Sequence, residues 1–338
     1  MDIKILCNIK LSLLLAAITF WGCSNNKNPY FEGEYEVISD PGQARRLAGK
    51  CIIAADTAIN LGGIYYVGDK LLGITYDNLD HFFIVYNSNG LKTGSFGTKG
   101  RARNEFTDGA VVTQQTDGNK IWINDVNKAM LHRVDINASL DSSICIVDKV
   151  VPTAGRVINA FYMNDTTIIY EQETMDNYKL YRYNTDKQEI IEQYDLYTPN
   201  SQPFMAYRSF MMVHPDGNKI VSAMHTLNQV NFITIDNKDR KSVSLYEIAS
   251  LEEDYSRKKM FYTSITSTRN RIYALYLNQS MTEDFIKPKP VEVHIFDWNG
   301  NLTETLVLNE SIRQITIDDK GKFIIGMDFD HNVYKYNL

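Results

Sequence analysis

The stretch GSFGTKGRARNEFTDGAVVTQQTDGNKIWINDVNKAMLHRVD, residues 94–135, decides the fold. A glycine-rich segment leads to a strand-like run at 110–116, then to an Asp-Gly turn and two further strand-like runs that end at Asp135. Asp-Gly pairs between β-branched runs are typical of tight hairpins. The stretch therefore predicts an antiparallel β unit entered through a glycine-rich turn.

The glycines of this stretch do not form a nucleotide-binding motif. A Walker loop needs Lys directly after its last glycine, but Lys99 precedes Gly100 and Arg101 follows it. A dinucleotide fingerprint needs a helix after the glycines, whereas residues 110–116 have the composition of a strand. We therefore expect the glycines to supply positive φ at a sharp turn.

One pattern recurs along the rest of the chain. A β-branched or aromatic strand ending in Asn or Asp occurs six times, and its last residues are Asn87, Asp135, Asn184, Asp236, Asp297 and Asn337. A hairpin with a Gly-, Asp- or Asn-rich turn precedes each copy, and a fourth strand-like run follows every copy except the last. Four strands repeated at this spacing predict an all-β, six-bladed β-propeller with four-stranded blades over residues 34–338.

The sixth copy lacks a fourth strand, because Leu338 follows it directly. A propeller ring must close to avoid a bare sheet edge. We therefore expect an N-terminal strand to complete the last blade, with residues 34–39 and 51–56 as the two candidates. Residues 41–49 and 250–260 are the segments in which short helices are expected.

The repeat in residues 94–135 resembles an NHL-type propeller repeat, with its FG turn, inner strand, Asp-Gly turn and strand ending in Asp. The chain as a whole resembles the TolB-like six-bladed propellers. The resemblance covers about residues 34–338 and implies the propeller fold, but its motifs fix no ligand.

The N-terminus has the organisation of an export signal. Lys4 and Lys10 flank a short apolar core, LSLLLAAITF, that is too short to span a bilayer. Cys23 follows Gly22, as in the bacterial lipoprotein signal that this segment resembles, although Phe20 and Trp21 depart from its usual residues. We expect a signal peptide at 1–22, lipidation of Cys23 and a flexible tether at 23–33. An ordinary secretory signal is the alternative.

With this N-terminus, the chain resembles the TolB-like six-bladed propeller lipoproteins of Bacteroidetes, and this resemblance also implies a location. It places the protein in the cell envelope, as an outer-membrane lipoprotein held in the lipid membrane through Cys23. The SNNK segment after that cysteine lacks the acidic run of surface-export signals, which favours the periplasmic face. Cys51 and Cys145 fall in different blades, so we expect two buried thiols and no disulfide between them.

Cations recur where the chain enters successive inner strands, and we expect them around the mouth of a central channel. Arginine suits carboxylate, phosphate or sugar-acid recognition. Salt bridges between blades are the structural alternative. The candidate ligand-binding residues are Arg101, Arg103, Arg156, Arg208 and Arg313, with Asp77, Asp125, Glu171, His225 and Asp328 on the same rim.

Two classes of function follow from these patterns. The first is a binding or scaffolding module for an anionic small molecule, a glycan or a protein partner, without a cofactor. The second is a lactonase-like or glycan-acting hydrolase or lyase, in which rim oxygens hold a metal such as Ca²⁺. Because no HExxH, metal-spaced histidines or GxSxG motif occurs, the binding module is favoured over an enzyme.

Composition limits the classes of partner that we expect for the protein. The net charge is -6 over 338 residues, and no basic stripe is evident, so nucleic acid is not an expected partner. We expect a monomer.

Overall fold

Tight turns separate the strands where the sequence places Gly, Asp and Asn. Asn119 and Gly217, for example, stand at φ 65° and 68° between the first and second strands of their blades.

The computed structural model describes residues 28–55, 61–75, 81–116, 119–174, 178–198, 207–251, 259–280 and 288–338. Cys23 and Asp77 lie outside these ranges, as does most of the segment 250–260.

The strands follow one another in regular groups along the chain. The N-terminal strands are β1 (Glu34–Ile38), β2 (Arg45–Leu47) and β3 (Lys50–Ile53). The first blade holds β4 (Leu61–Val67), β5 (Lys70–Thr75), β6 (Phe83–Asn87) and β7 (Lys92–Phe96). The loop to the second blade holds β8 (Thr98–Lys99) and β9 (Glu105–Phe106). The second blade holds β10 (Ala110–Thr116), β11 (Lys120–Asp125), β12 (Met130–Asp135), helix α1 (Ile136–Ser142) and β13 (Val147–Pro152).

The remaining blades repeat this order. The third holds β14 (Asn159–Asn164), β15 (Thr167–Glu173), β16 (Tyr178–Asn184) and β17 (Glu189–Asp195). The fourth holds β18 (Ser209–Val213), β19 (Lys219–Met224), β20 (Val230–Thr234) and β21 (Arg240–Leu245). The fifth holds β22 (Lys259–Ser267), β23 (Ile272–Ser280), β24 (Val291–Phe296) and β25 (Leu302–Leu308). The sixth holds β26 (Ile312–Ile317), β27 (Phe323–Asp328) and β28 (Val333–Asn337).

The predicted six-bladed propeller is confirmed. Each blade is an antiparallel meander, and its first strand is the inner strand that faces the central channel. The second strands are buried along almost their whole length, as in β11, because neighbouring blades cover both of their faces. The apolar core lies between blades; Phe83 and Phe96 of the first blade, for example, share one cluster with Ile121 and Val134 of the second. None of the helical structure in the described ranges has the length and apolarity needed to cross a bilayer.

The N-terminal strands run along the outer rim of three successive blades. Strand β1 adds in parallel to β21 of the fourth blade, and β2 adds in parallel to β25 of the fifth. Strand β3 pairs antiparallel with β28 and is the outer strand of the sixth blade. Of the two segments considered for this position, residues 51–56 thus contribute it, whereas 34–39 lie on the fourth blade. The short helix expected at 41–49 is wrong, because 45–47 extend along the edge of β25.

The predicted tether, residues 23–33, is too long at its C-terminal end. Phe31 is buried in the cluster between the third and fourth blades, and the Arg240 guanidinium lies 5.5 Å from its ring centre. The Tyr30 carbonyl accepts a hydrogen bond from Thr198 N. Residues 28–33 therefore belong to the propeller. Of the two cysteines expected to be buried, Cys145 is buried but Cys51 is exposed, and no disulfide joins them.

Phe31→Ala should destabilise the protein by roughly 3–5 kcal/mol, because truncation of a fully buried Phe leaves a cavity. Urea unfolding followed by tryptophan fluorescence measures this change in the free energy of unfolding. Glu32→Ala, at an exposed neighbouring position, is the control and should change it little. A loss below about 1 kcal/mol for Phe31→Ala would show that residues 28–33 are not part of the folded unit.

Candidate functional site

The six inner strands surround a central cavity of ≈ 820 Å³. Its lining comes from all six inner strands, for example Val111 to Gln114 of β10 and Ser209 to Met212 of β18, and from Glu171, Tyr178 and Arg208 at the end where the inner strands start. The cavity therefore lies toward the end of the channel at which the inner strands start. Its volume is within the range of small-molecule sites.

The wall of the cavity contains polar side chains because an inner strand is the edge of its sheet. Gln114 Nε2 donates to the Tyr162 carbonyl at 3.1 Å, and its Oε1 accepts from Tyr162 N at 2.6 Å. Gln314 makes the same pair of bonds with the backbone of Ile64, both at 3.1 Å. These glutamines satisfy backbone groups that the next blade leaves without a sheet partner.

Glu171 is the most unusual group at the cavity. It stands on β15 opposite Asn159 of β14, and only 5% of its surface is exposed. Asn159 Nδ2 donates to its Oε2 at 2.6 Å, while its Oε1 has no hydrogen-bond partner among the described residues. Burial raises the pKa of Glu171 to about 7, although the bond from Asn159 opposes this shift. A carboxyl of this kind exchanges its proton near neutral pH.

Arg208 is the exposed cation of the cavity. It precedes β18, and its main-chain carbonyl accepts from His225 N at 2.8 Å. Its side chain forms no ion pair with any described residue, and it lowers the pKa of Tyr178, another cavity residue, against the larger effect of burial. Arg208 thus offers a guanidinium to a ligand in the cavity that Glu171 also lines.

Arg313 lines the cavity from the sixth blade, and part of its guanidinium bonds to other residues of the protein. Its Nη2 donates to the Leu61 carbonyl at 3.0 Å and lies 3.1 Å from His331 Nδ1. Its Nε is buried and has no partner within the described ranges. Arg313 therefore links the sixth blade to the first and keeps one donor unsatisfied.

The other three candidate arginines do not line the cavity. Arg101 and Arg103 are exposed in the loop between β8 and β9. Arg156 is exposed and donates through Nη2 to Asn127 Oδ1 of the neighbouring blade. This bond joins two blades, but its acceptor is a neutral amide, so it is not the salt bridge considered as the structural alternative. The predicted ring of five arginines around one opening thus reduces to Arg208 and Arg313.

The acidic candidates and His225 also divide into residues that line the cavity and residues that do not. Asp125 accepts from Thr107 N at 3.0 Å and Thr107 Oγ1 at 2.5 Å, and so holds the loop that enters the second blade. Asp328 accepts from Asn332 N at 2.8 Å within its own hairpin. His225 Nδ1 lies 3.0 Å from the Tyr262 carbonyl of the fifth blade, and burial lowers its pKa. Of the predicted carboxylates in the described ranges, only Glu171 lines the cavity.

The glycine-rich loop is a structural connection. Gly97 has φ +77°, as expected for a sharp turn, but Gly100 does not adopt a left-handed conformation. Lys99 Nζ pairs with Asp108 at 2.6 Å, and Lys128 Nζ donates to the carbonyls of Ala102 and Glu105, both at 2.6 Å. Lys99 is thus paired within the loop, and Lys128, from the hairpin between β11 and β12, holds the loop against the second blade.

A second cavity, of ≈ 920 Å³, lies beside the N-terminal segment and the outer part of the fourth blade. The cations around it already have partners: Lys241 pairs with Glu36 at 2.8 Å, and Arg240 Nη2 donates to the Asp195 carbonyl at 2.7 Å. Within the described ranges, no group of three or more His, Cys, Asp and Glu side chains could hold a metal ion. The central cavity is therefore the candidate site.

Sequence reasoning missed Asn159 and the two glutamines. Asn159 begins β14 and orients Glu171 across the pair of strands. Gln114 and Gln314 occupy inner strands, where polar side chains in strand-like runs could have indicated the channel wall. Their partners on the next blade could not be identified from sequence spacing.

A family model described as TolB-like 6-blade propeller-like matches residues 64–320. Among solved structures, the β-propeller domain of Cps50 (Swd1) from Myceliophteria thermophila matches with a TM-score of 0.46 and 8% identity. The match covers 82% of this chain and 99% of that one, and a likeness this distant carries no functional argument. No curated protein sequence matches the chain.

Glu171→Gln should stabilise the protein increasingly as the pH rises from about 4.5 to about 7. The folded wild-type protein binds the proton of the Glu171 carboxyl more tightly than the unfolded chain does. The stability of wild type therefore falls as the pH rises from about 4.5 to about 7, and above pH 7 the stabilisation by this proton is lost completely. The difference between variant and wild type should reach up to about 3 kcal/mol at pH 8. Chemical denaturation at several pH values measures it, with exposed Glu173→Gln as the control. A difference that does not change with pH would contradict the assignment.

Proposed function

The chain belongs to the TolB-like six-bladed propeller family, and we propose that it is a binding or scaffolding module of the cell envelope whose central cavity holds an anionic small molecule or glycan. The observation that carries this proposal is the position of Arg208. It is a cavity guanidinium without an ion-pair partner among the described residues, and the buried carboxyl of Glu171 lines the same cavity. An acidic ligand would form charge-assisted hydrogen bonds there. A protein partner with an acidic group is a further proposed occupant, whereas nucleic acid is not, and we propose a monomer.

The proposed anchor fits the position of residue 28. Asn28 Nδ2 donates to Gln229 Oε1 at 2.7 Å, in the hairpin between β19 and β20. That hairpin lies at the end of the fourth blade where β18 begins, since Ser209 pairs with Met224 and Met224 N donates to the Gln229 carbonyl. A tether from Cys23 to Asn28 would span at most roughly 17 Å. Lipidation of Cys23 would therefore hold the cavity end of the propeller close to the outer membrane, on the periplasmic face in our proposal.

A hydrolase or lyase is the second candidate, and one observation favours it. The pKa of Glu171, raised by burial to about 7, suits a general acid or base, and Glu173 lines the cavity two residues further along β15. Turnover of lactones or acidic glycans by wild type, with or without added Ca²⁺, and its loss in Glu171→Gln would support catalysis. Binding without turnover would support the module.

Arg208→Gln should weaken the binding of an acidic ligand by roughly 1.5–3 kcal/mol, because it removes a hydrogen bond to a charged group. Galacturonate, phosphate and succinate are the probes, screened by thermal shift and then measured by calorimetry. Arg156→Gln is the matched control, since Arg156 also precedes an inner strand but donates to Asn127 and lies outside the cavity. Equal losses in both variants, or no stabilising acid for wild type, would remove the proposal.

Cys23→Ala should abolish membrane attachment and leave a soluble or unprocessed protein. Mass spectrometry of the mature wild-type N-terminus should show a diacylated cysteine, and Cys51→Ala, at an exposed position in the propeller, should remain membrane-bound. A Cys23→Ala protein that is processed and retained at the membrane like wild type would contradict lipidation at Cys23.

A further inference from the structure

The surface that the central cavity presents to a ligand is more apolar than polar. Neighbouring blades cover both faces of an inner strand, so a partly exposed residue of such a strand presents its open surface to the channel. The apolar and aromatic residues of this kind in the wall are Tyr65, Val111, Val112, Phe210, Met212 and Ile265. Because they come from four of the six blades, apolar surface is present on several sides of the cavity.

Most polar side chains of the wall are engaged with the protein itself. Gln114 and Gln314 are bonded to the backbone of the next blade. The hydroxyl oxygens of Thr113 and Thr263 are buried within the wall. A ligand covered with hydroxyl groups would therefore give up bonds to water that these side chains could not replace.

The end of the cavity where the inner strands start combines a cation with apolar surface. Ile158 directly precedes β14 and Arg208 directly precedes β18, and both are exposed residues of the lining. The side chain of Ile158 is 67% exposed. Phe210, the second residue of β18, adds an aromatic ring at the same end. Small-molecule sites commonly have this composition, in which apolar walls carry a few polar groups that orient the ligand.

The charges of the lining favour a ligand with a single acid group. Arg208 is the cation without an ion pair among the described residues, whereas Arg313 donates to the Leu61 carbonyl at 3.0 Å. Glu173 is an exposed carboxylate of the same lining. A second acid group on the ligand would be repelled by Glu173 without a free cation to offset the repulsion.

We infer that the cavity prefers a monocarboxylic acid with an apolar body, of the alkyl or aryl carboxylate class, over a polyhydroxylated acid of similar size. Arg208 holds the carboxylate, and Ile158 and Phe210 cover the apolar body. The preference arises because the apolar body and the apolar wall leave water together, whereas a ring covered with hydroxyl groups has little apolar surface to bury. The inference rests on the proposed function, because it names the class of anion that the same cavity binds.

The test compares cyclohexanecarboxylate with galacturonate, which share a six-membered ring and one carboxylate. Calorimetry gives both dissociation constants for wild type, Ile158→Ser, Arg208→Gln and Leu91→Ser. Leu91→Ser is the matched control, because Leu91 is 68% exposed but lies in the hairpin between β6 and β7, outside the cavity. Ile158→Ser and Leu91→Ser both change a largely exposed side chain, so neither should endanger the fold.

Wild type should bind cyclohexanecarboxylate about tenfold more tightly than galacturonate, or better. Ile158→Ser should reduce this preference about threefold or more, because it removes apolar surface from the cavity. Arg208→Gln should weaken the binding of both acids, and Leu91→Ser should change neither dissociation constant.

Equal binding of the two acids to wild type, tighter binding of galacturonate, or a preference unchanged in Ile158→Ser would overturn the inference. In each of these cases, binding that depends on Arg208 would leave the proposed function standing. If neither acid binds, the inference falls, and binding of phosphate or succinate that depends on Arg208 would still support the proposed function.

Discussion

The inner edge of each blade imposes the constraint on which the rest of the structure depends. A strand that faces the channel has a sheet partner on one side only, so its other backbone groups need hydrogen bonds from elsewhere. Side chains of the preceding blade supply them: Gln114 bonds to Tyr162, Gln314 to Ile64, and Ser264 to Ile315. Polar bonds therefore join neighbouring blades at the channel, and apolar clusters join them further out. Both kinds of contact hold the ring together.

The character of the central cavity follows from the same constraint. The wall carries amide and hydroxyl groups that bond to the backbone, but apolar side chains such as Val112, Phe161 and Met212 also line it, so the channel is only partly polar. Within this wall, Glu171 and Thr263 retain atoms without partners among the described residues, whereas Gln114 and Gln314 are fully occupied.

The repeat made most of the fold predictable. The strands, the number of blades and the sharp turn at Gly97 could all be predicted from local sequence patterns. The alternation of apolar residues and the preferences of turn residues each extend over only a few positions. The placement of β1 and β2 was not predictable, because it depends on which outer edges remain open after the ring has formed. The site was only partly predictable for a similar reason. Arg156 and Arg208 occupy the same place in the repeat, and only a neighbour from another blade, Asn127, distinguishes their roles.

The strands at the N-terminus also constrain the order in which the chain can fold. Strands β1, β2 and β3 are made first, yet their partners β21, β25 and β28 belong to the last three blades. Contacts between segments so far apart carry a large loop-closure entropy, and such topologies fold slowly. During synthesis, these early strands therefore lack their sheet partners until the last three blades have been made. Closure of the ring therefore needs a contact between segments far apart in the sequence, because β3 and β28 share one sheet.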